Sequence, residues 1–401
     1  MSAEQVKQAY SDWQNTEKSF GARHPRTLYE LANYIFALHT SDEECDALIE
    51  EFKARLEDYT DWKNRLLPDA LAFVAYVLND KRLTKSAYPL ITRAVAIADC
   101  FTAEENFDPS APWLIYAYVM RSLELYSQEI LYFEKLYNYV LKKEGESASV
   151  AVQYLMRLDC VLYSCHRYSK ARQYSERALE LQKKYHADDT DTTLDCLSNL
   201  AANLAYAGTP EEEIRIREEA LDLAKESYGA KSVKTIEAYE KLCSALSKYS
   251  YGKLTASDSL LNRSILHHYR LLELKTSMAG PNAPSTLQAK RDLIALFEKN
   301  RKYSRAIVFQ KELVNESREQ DSPPDFQSNR DRYHLIELYL RVGMIRKSVH
   351  LADEMLSELT AGLDSEEVEQ NLKSKSPSID VKGILQLRVF LQKQKKKPCR
   401  L

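Results

Sequence analysis

The sequence predicts an all-α protein built as an array of stacked helix pairs, and three observations predict it. Glycine is scarce, 9 of 401 residues, whereas tyrosine reaches 26, and a chain so far below the roughly 7% glycine of ordinary proteins suits long helices with few sharp bends. Apolar stripes recur at helical spacing: Leu155, Leu158 and Leu162, then Leu197, Leu200 and Leu204, then Tyr239, Leu242 and Leu246, each set shifted by 42 positions. A glycine also stands six residues before Thr-Leu or Thr-Ile three times, Gly21 to Thr27, Gly229 to Thr235 and Gly280 to Thr286.

Each element follows from local chemistry. Glycine just past a helix takes the left-handed conformation without a Cβ penalty, and the Pro, Ser or Thr after it suits the next helix start, so each Gly-to-Thr segment is a joint between helices. After each leucine stripe comes a second helix, seen in RYSKARQYSERALEL (167–181), EEEIRIREEALDLA (211–224) and RKYSRAIVFQKELV (301–314), with apolar or small residues at i, i+3 and i+4. The unit is therefore a helix pair. Glycine and turn residues interrupt the 42-residue period, which excludes a heptad coiled coil, and two such helices cannot bury their apolar faces alone. The units must stack.

The spacing slips in two places. Thr235 to Thr286 spans 51 positions, with the extra residues around YSYGKLTASDS (249–259), and the joint ESREQDSPPDFQSNRD (316–331) is polar and contains proline. Both are expected to be exposed loops. The last pair is read in LIELYLRVGMIRKSVHLADEML (335–356); residues 361–380 form a polar linker, and 381–401 carry a capping helix, VKGILQLRVFLQ, and a basic tail. A short strand or a frayed tail is the alternative there.

Composition narrows the function. With 56 Lys and Arg against 59 Asp and Glu, the net charge is −3, so no electrostatic footprint for nucleic acid covers the molecule and nucleic-acid binding is disfavoured. The seven cysteines, Cys45, Cys100, Cys160, Cys165, Cys196, Cys243 and Cys399, are odd in number and scattered through apolar helical patterns, which reads as reduced, buried thiols. The N-terminus has no signal-peptide core, and the longest apolar run, ALAFVAYVL (70–78), is too short to span a bilayer. A cytoplasmic protein with no membrane span is expected. The sequence has no phosphate loop, zinc-protease, serine-hydrolase or Cys-x-x-Cys motif, so no catalytic residue, cofactor or metal is expected. Cys160, Cys165 and His166 do not suggest a metal site, because residues five apart point about 140° from one another on a helix. Of His267 and His268, one is expected to pack and one to face solvent.

The joint FGARHPRTLYELANYIFAL (20–38) and the block NLAANLAYAGTPEEEIRIREEALDLAKESYG (199–229) resemble tetratricopeptide repeats of the long variety found in kinesin light chains. The likeness is strongest over 150–315 and looser over 20–150. Small residues at Ala171, Ala178, Ala201, Ala220 and Ala306 match the family's close helix contacts, where bulk would force the axes apart. The resemblance implies a right-handed α-solenoid of about eight helix pairs over residues 1–360, one continuous body with a C-terminal capping helix. Kinesin light chains carry a long heptad segment ahead of their repeats, whereas here the first repeat begins by about residue 20, so a motor subunit is not expected.

Arg157, Asn199 and Lys241 occupy one position in three successive first helices, 42 apart each time. That position lies about 150° from the centre of the leucine stripe at 100° per residue. First helices line the concave groove in tetratricopeptide folds, so the resemblance implies that the row looks into it. Asn199 would pair with the backbone of an extended ligand, and Arg157 and Lys241 would select carboxylates. A plain solvated face fits the same pattern. Tyr206 is a candidate aromatic wall, Asp292 and His334 continue the row, and Asp195, Glu237 and Glu240 make the groove mixed in sign. The row does not match the two-carboxylate clamp of chaperone-binding members.

The expected function is thus a non-enzymatic scaffold or adaptor holding a protein or peptide partner, one bearing carboxylates, in the concave groove. A regulatory subunit of an enzyme complex and an RNA-binding repeat are the alternatives. Residues 371–401 carry nine Lys or Arg and one acid, a local charge of +8 that leaves −11 on the rest of the chain. The closing Cys399, Arg400 and Leu401 resemble a degenerate peroxisomal import address, which offers the peroxisome as an alternative location.

Overall fold

In the computed structural model, the structure describes residues 2–360 apart from 58, 60, 61, 103, 105, 252–257 and 319–325. The linker, the capping helix and the candidate targeting residues Cys399, Arg400 and Leu401 lie outside the described residues. Seventeen helices and no strand are present among the described residues. They fall into two compact units, Met1–Thr209 and Pro210–Leu401.

The first unit holds α1 (Ala3–Phe20), α2 (Pro25–Thr40), α3 (Asp46–Glu57), α4 (Leu67–Asp80), α5 (Thr84–Phe101), α6 (Ser110–Ser122), α7 (Tyr126–Glu144), α8 (Ser149–Ser164), α9 (Tyr168–Tyr185) and α10 (Thr190–Ala207). The second holds α11 (Pro210–Tyr228), α12 (Val233–Tyr251), α13 (Asp258–Ala279), α14 (Pro284–Lys299), α15 (Tyr303–Arg318), α16 (Phe326–Arg341) and α17 (Ile345–Thr360). Successive helices pack as pairs within each unit, as in α4 with α5, α6 with α7 and α8 with α9 of the first and α12 with α13, α14 with α15 and α16 with α17 of the second. Helix α1 is an addition that the repeat pattern does not announce. A capping box between Ser2 and Gln5 starts it, and Trp13 stacks on Tyr34 of α2 with ring centroids 5.6 Å apart.

In two of the three joints the six-residue spacing from glycine to threonine has a structural cause; at Gly21 to Thr27 the buried threonine hydroxyl makes no such bond. Gly229 and Gly280 adopt φ of 83° and 89°, and the buried hydroxyls of Thr235 and Thr286 donate back to their carbonyls at 2.8 and 2.9 Å. The threonine thus satisfies a carbonyl that the ending helix leaves without an amide.

Seven turns between consecutive helices are just as regular, though the sequence hides them. Asp42, Arg82, Glu124, His166, Gly208, Arg301 and Gly343 all have φ between 53° and 79°, and in each case the next amide reaches back to a carbonyl five residues earlier, as from Leu83 to Leu78 and Leu125 to Met120. This is the Schellman closure. Five of the seven left-handed residues are not glycine, so composition gives no warning of them.

The leucine stripes form the cores. Leu155, Leu158, Leu162, Leu197, Leu200, Leu204, Tyr239, Leu242 and Leu246 are all buried. Among the small residues Ala171, Ala178, Ala201 and Ala306 are buried as expected, but Ala220 is only half-buried and Ala224 takes the sealed position on α11 instead. Two further expectations need correction. Cys100 is exposed rather than buried. The segments 249–259 and 316–331 are not wholly loop: α12, α13, α15 and α16 run into them, and Asp331 is only 5% exposed, held by the guanidinium of Arg291 on α14 at 2.7 and 3.2 Å. Its partner lies 40 positions away, so the polar sequence alone could not mark it as interior.

Candidate functional site

In the first unit Arg157 is exposed on α8 and borders a hollow of about 490 Å³ between the successive first helices α6 and α8. Leu114 and Tyr118 of α6, with Val150, Tyr154 and Met156 of α8, give the hollow apolar walls; Gln153, Arg157 and Cys160 supply its polar atoms. Asn199 is half-buried on α10. Tyr206, at the end of the same helix, is 59% exposed and stacks on Tyr168 of α9 with centroids 4.7 Å apart, edge-on to Tyr163 of α8 at 5.4 Å. Its ring is thus engaged at the turn between α8 and α9, away from the residues lining the α6–α8 hollow.

In the second unit Lys241 is exposed on α12. A hollow of about 390 Å³ lies between α12, α13 and α14, and Asp292, in the row position, is among its lining residues with Gln288, Glu240, Lys275 and His268. Lys241 does not line it. Lys275 pairs with Glu240 at 2.6 Å, and Gln288 donates to Asp292 at 2.9 Å. His334, the next member of the row, donates to Glu298 of the neighbouring first helix α14 at 3.0 Å, which holds the Glu298 carboxyl below its usual range. In each unit, then, row members face the neighbouring first helix, and the sign of the lining changes from Arg157 to Asp292.

Of the adjacent histidines, His268 is buried and His267 is half-buried against Tyr239. The carbonyl of Ser264 can only accept, so Nδ1 of His268 carries the proton at 2.7 Å and Nε2 is left to accept from Ser247 at 3.2 Å. Burial lowers the His268 pKa, which favours this neutral form.

Charge also lies behind the walls. Superposing the 42-residue frame puts Ala87, Glu129, Ala171, Glu213, Ser264, Ala306 and Ser348 at one position of the second helices, and all seven are buried. Five are small, as a close helix contact requires; two are glutamates. Glu213 is well served, receiving Arg217 at 2.6 Å and the Tyr249 hydroxyl at 2.5 Å. Glu129 is not. It is 0% exposed, has the Arg121 guanidinium 2.9 Å away, and neither carboxylate oxygen has a well-formed hydrogen bond. Burial pushes its pKa up to about 7, against the pull of Arg121 and Arg157.

A third buried group sits between α8, α9 and α10. Asn203 donates to Asp159 at 2.6 Å and to the Ser175 hydroxyl at 3.1 Å, and burial raises the Asp159 pKa to about 6. The asparagine tied into the core is therefore Asn203, one turn beyond Asn199. Its place three residues after Leu200 and one before Leu204 was the available signal.

The tetratricopeptide-repeat family model matches residues 161–226, from the end of α8 through most of α11. This part of the chain is tetratricopeptide repeat. Left-handed turns and buried small positions recur on both sides of the matched segment. No curated protein matches the sequence. Among solved structures, BtubC from P. vanneervenii is 16% identical over 60% of this chain and 91% of its own, with a TM-score of 0.41. A putative kinesin light chain from Podosopora anserina with TPR-like repeats is 11% identical over 54% and 99%, at 0.42. Aspartyl phosphate phosphatase F from Bacillus subtilis is 14% identical over 98% and 92%, at 0.43. Among the described residues no helix of these repeats is long and apolar enough to cross a membrane.

Proposed function

We propose that this chain is a non-enzymatic interaction scaffold whose first-helix faces receive a peptide segment or a partner helix bearing carboxylates. The observation that carries this reading is the hollow between α6 and α8, where a single guanidinium, Arg157, stands among apolar walls. Apolar area supplies affinity there, and a planar cation fixes the position of a carboxylate. Asn199 would pair with the ligand backbone and Lys241 would add a second cation further along the row. The buried carboxylates Asp159 and Glu129 are closed off behind helix contacts, where a substrate does not reach.

The test is affinity capture with identification of the bound proteins, comparing the wild type with the double variant Arg157→Glu, Lys241→Glu. The partner should be lost from the variant while helicity and melting stay unchanged. Equal recovery of the same partner by both proteins would refute the groove assignment.

A further inference from the structure

We propose that Glu129 sets the charge that the α6–α8 hollow offers to a ligand carboxylate, so that a proton on Glu129 strengthens capture and its loss weakens it. The inference rests on the groove reading of Arg157 and adds a regulator to it.

The geometry begins with a mismatch. Position 129 belongs to the helix contact that Ala87, Ala171 and Ala306 fill with a methyl group, yet here it holds a fully buried carboxyl with no well-formed hydrogen bond. Glu213 at the equivalent place has donors on both oxygens; Glu129 has the Arg121 guanidinium at 2.9 Å. A buried polar group left this way calls for an explanation.

The charged groups that act on Glu129 are Arg121 from α6, 2.9 Å away, and Arg157 from α8. Cys160, also on α8, senses the same charges and is kept a neutral thiol by burial. When Glu129 is ionised it draws on both guanidiniums, and the field at the mouth of the hollow is that of two cations and one anion. When it is protonated that anion is gone. Glu129 and the lining residue Arg157 act on each other electrostatically, so the change is felt by an anion beside Arg157. Protonation near neutrality is consistent with the burial of the group.

Dansyl-leucine is a suitable probe: an apolar body with a carboxylate whose charge is constant between pH 6 and 8, because a free α-carboxyl titrates near ~3.5. Fluorescence titration should show the wild type binding about three- to tenfold tighter at pH 6 than at pH 8, the size expected when one unit charge changes near the site. Glu129→Gln should bind at both pH values with the affinity of the wild type at pH 6. A wild type flat across this range, or a Glu129→Gln variant that keeps the pH dependence, overturns the inference. Loss of probe by Arg157→Gln with a flat wild type would leave the groove reading standing and sink this one; unchanged binding by Arg157→Gln would sink the groove reading as well. Carbon-13 NMR of the Glu129 carboxyl gives an answer independent of any ligand, since its titration midpoint should rise in Arg157→Gln. An unmoved midpoint means the two groups share no charge and ends the proposal.

Discussion

The side-chain amide of Asn203 on α10 donates at 2.6 Å to a carboxylate oxygen of Asp159 on α8, 44 positions earlier, and both groups are sealed from solvent. Ser175 of α9 accepts the second amide hydrogen at 3.1 Å, so one side chain ties together three consecutive helices. A buried donor with two partners cannot be removed without leaving at least one of them stranded.

Asn203→Ala should therefore destabilise the first unit by about 2–3 kcal/mol at pH 7.5, the range for a charge-assisted bond whose acceptor stays buried. The loss should shrink at pH 5. Burial raises the folded-state pKa of Asp159 from 3.8 to about 6, so below that value the carboxyl is neutral and has less to lose. Urea unfolding of both proteins at the two pH values checks this; an equal loss at each would mean that Asp159 is not the group being stranded.

The lone charge at position 129 predicts a pH dependence of opposite practical use. Its folded pKa is raised from 4.5 to about 7, so between those values the native state holds the extra proton and stability falls as pH rises through the window. Glu129→Gln removes that loss. The variant should match the wild type at pH 5 and exceed it at pH 8 by up to about 3 kcal/mol, the upper bound set by a shift of this size. Melting at the two pH values decides it, and a variant less stable at pH 8 would show that the Arg121 pair outweighs the burial of the carboxylate.

The left-handed turns give a prediction free of electrostatics. Arg82 sits at φ 62° in the position that Gly208 and Gly343 occupy in later pairs. A side chain in that conformation costs about 1 kcal/mol or more, partly offset because glycine gives the unfolded chain more freedom. Arg82→Gly should stabilise by about 0.5–1 kcal/mol, and Gly208→Ala should destabilise by a similar amount. Denaturant midpoints test both, and a destabilised Arg82→Gly would mean that its side chain makes contacts worth more than the strain.

Those turns also mark where the sequence stops being legible. The 42-residue interval, the apolar stripes and the glycine joints are local patterns, and they place the helix pairs correctly. The turn within each pair is set by the αL geometry of residues such as Glu124 and His166, which composition does not flag. The site divides in the same way. Arg157 is a polar residue off the leucine stripe, and it is exposed on α8 as that position implies. Glu129 and Asn203 are polar residues inside the pattern, and their partners Arg121 and Asp159 come from other helices. Polarity alone assigns such groups to the surface; a comparison of position 129 with Ala171 across the repeat would have exposed the first, and the spacing of Asn203 from Leu200 the second.

The distinction between Ala201 and Ala220 is open to the same kind of test. The sequence pattern treats both as small residues at helix contacts, yet Ala201 is 1% exposed and Ala220 is half-buried. A tryptophan in place of a sealed methyl has no free volume to enter, so it must displace backbone or force neighbours off their rotamers, at about 3 kcal/mol or more. At a half-buried position the same ring can turn outward. Ala201→Trp should accordingly lower stability by about 3 kcal/mol or more, and Ala220→Trp by about 1 kcal/mol or less, in parallel urea titrations. Tryptophan emission supplies a second readout, blue-shifted for position 201 if the ring is forced inside and solvent-like for position 220. Equal losses at the two positions would mean that the small residues of this array do not differ in packing as the structure describes.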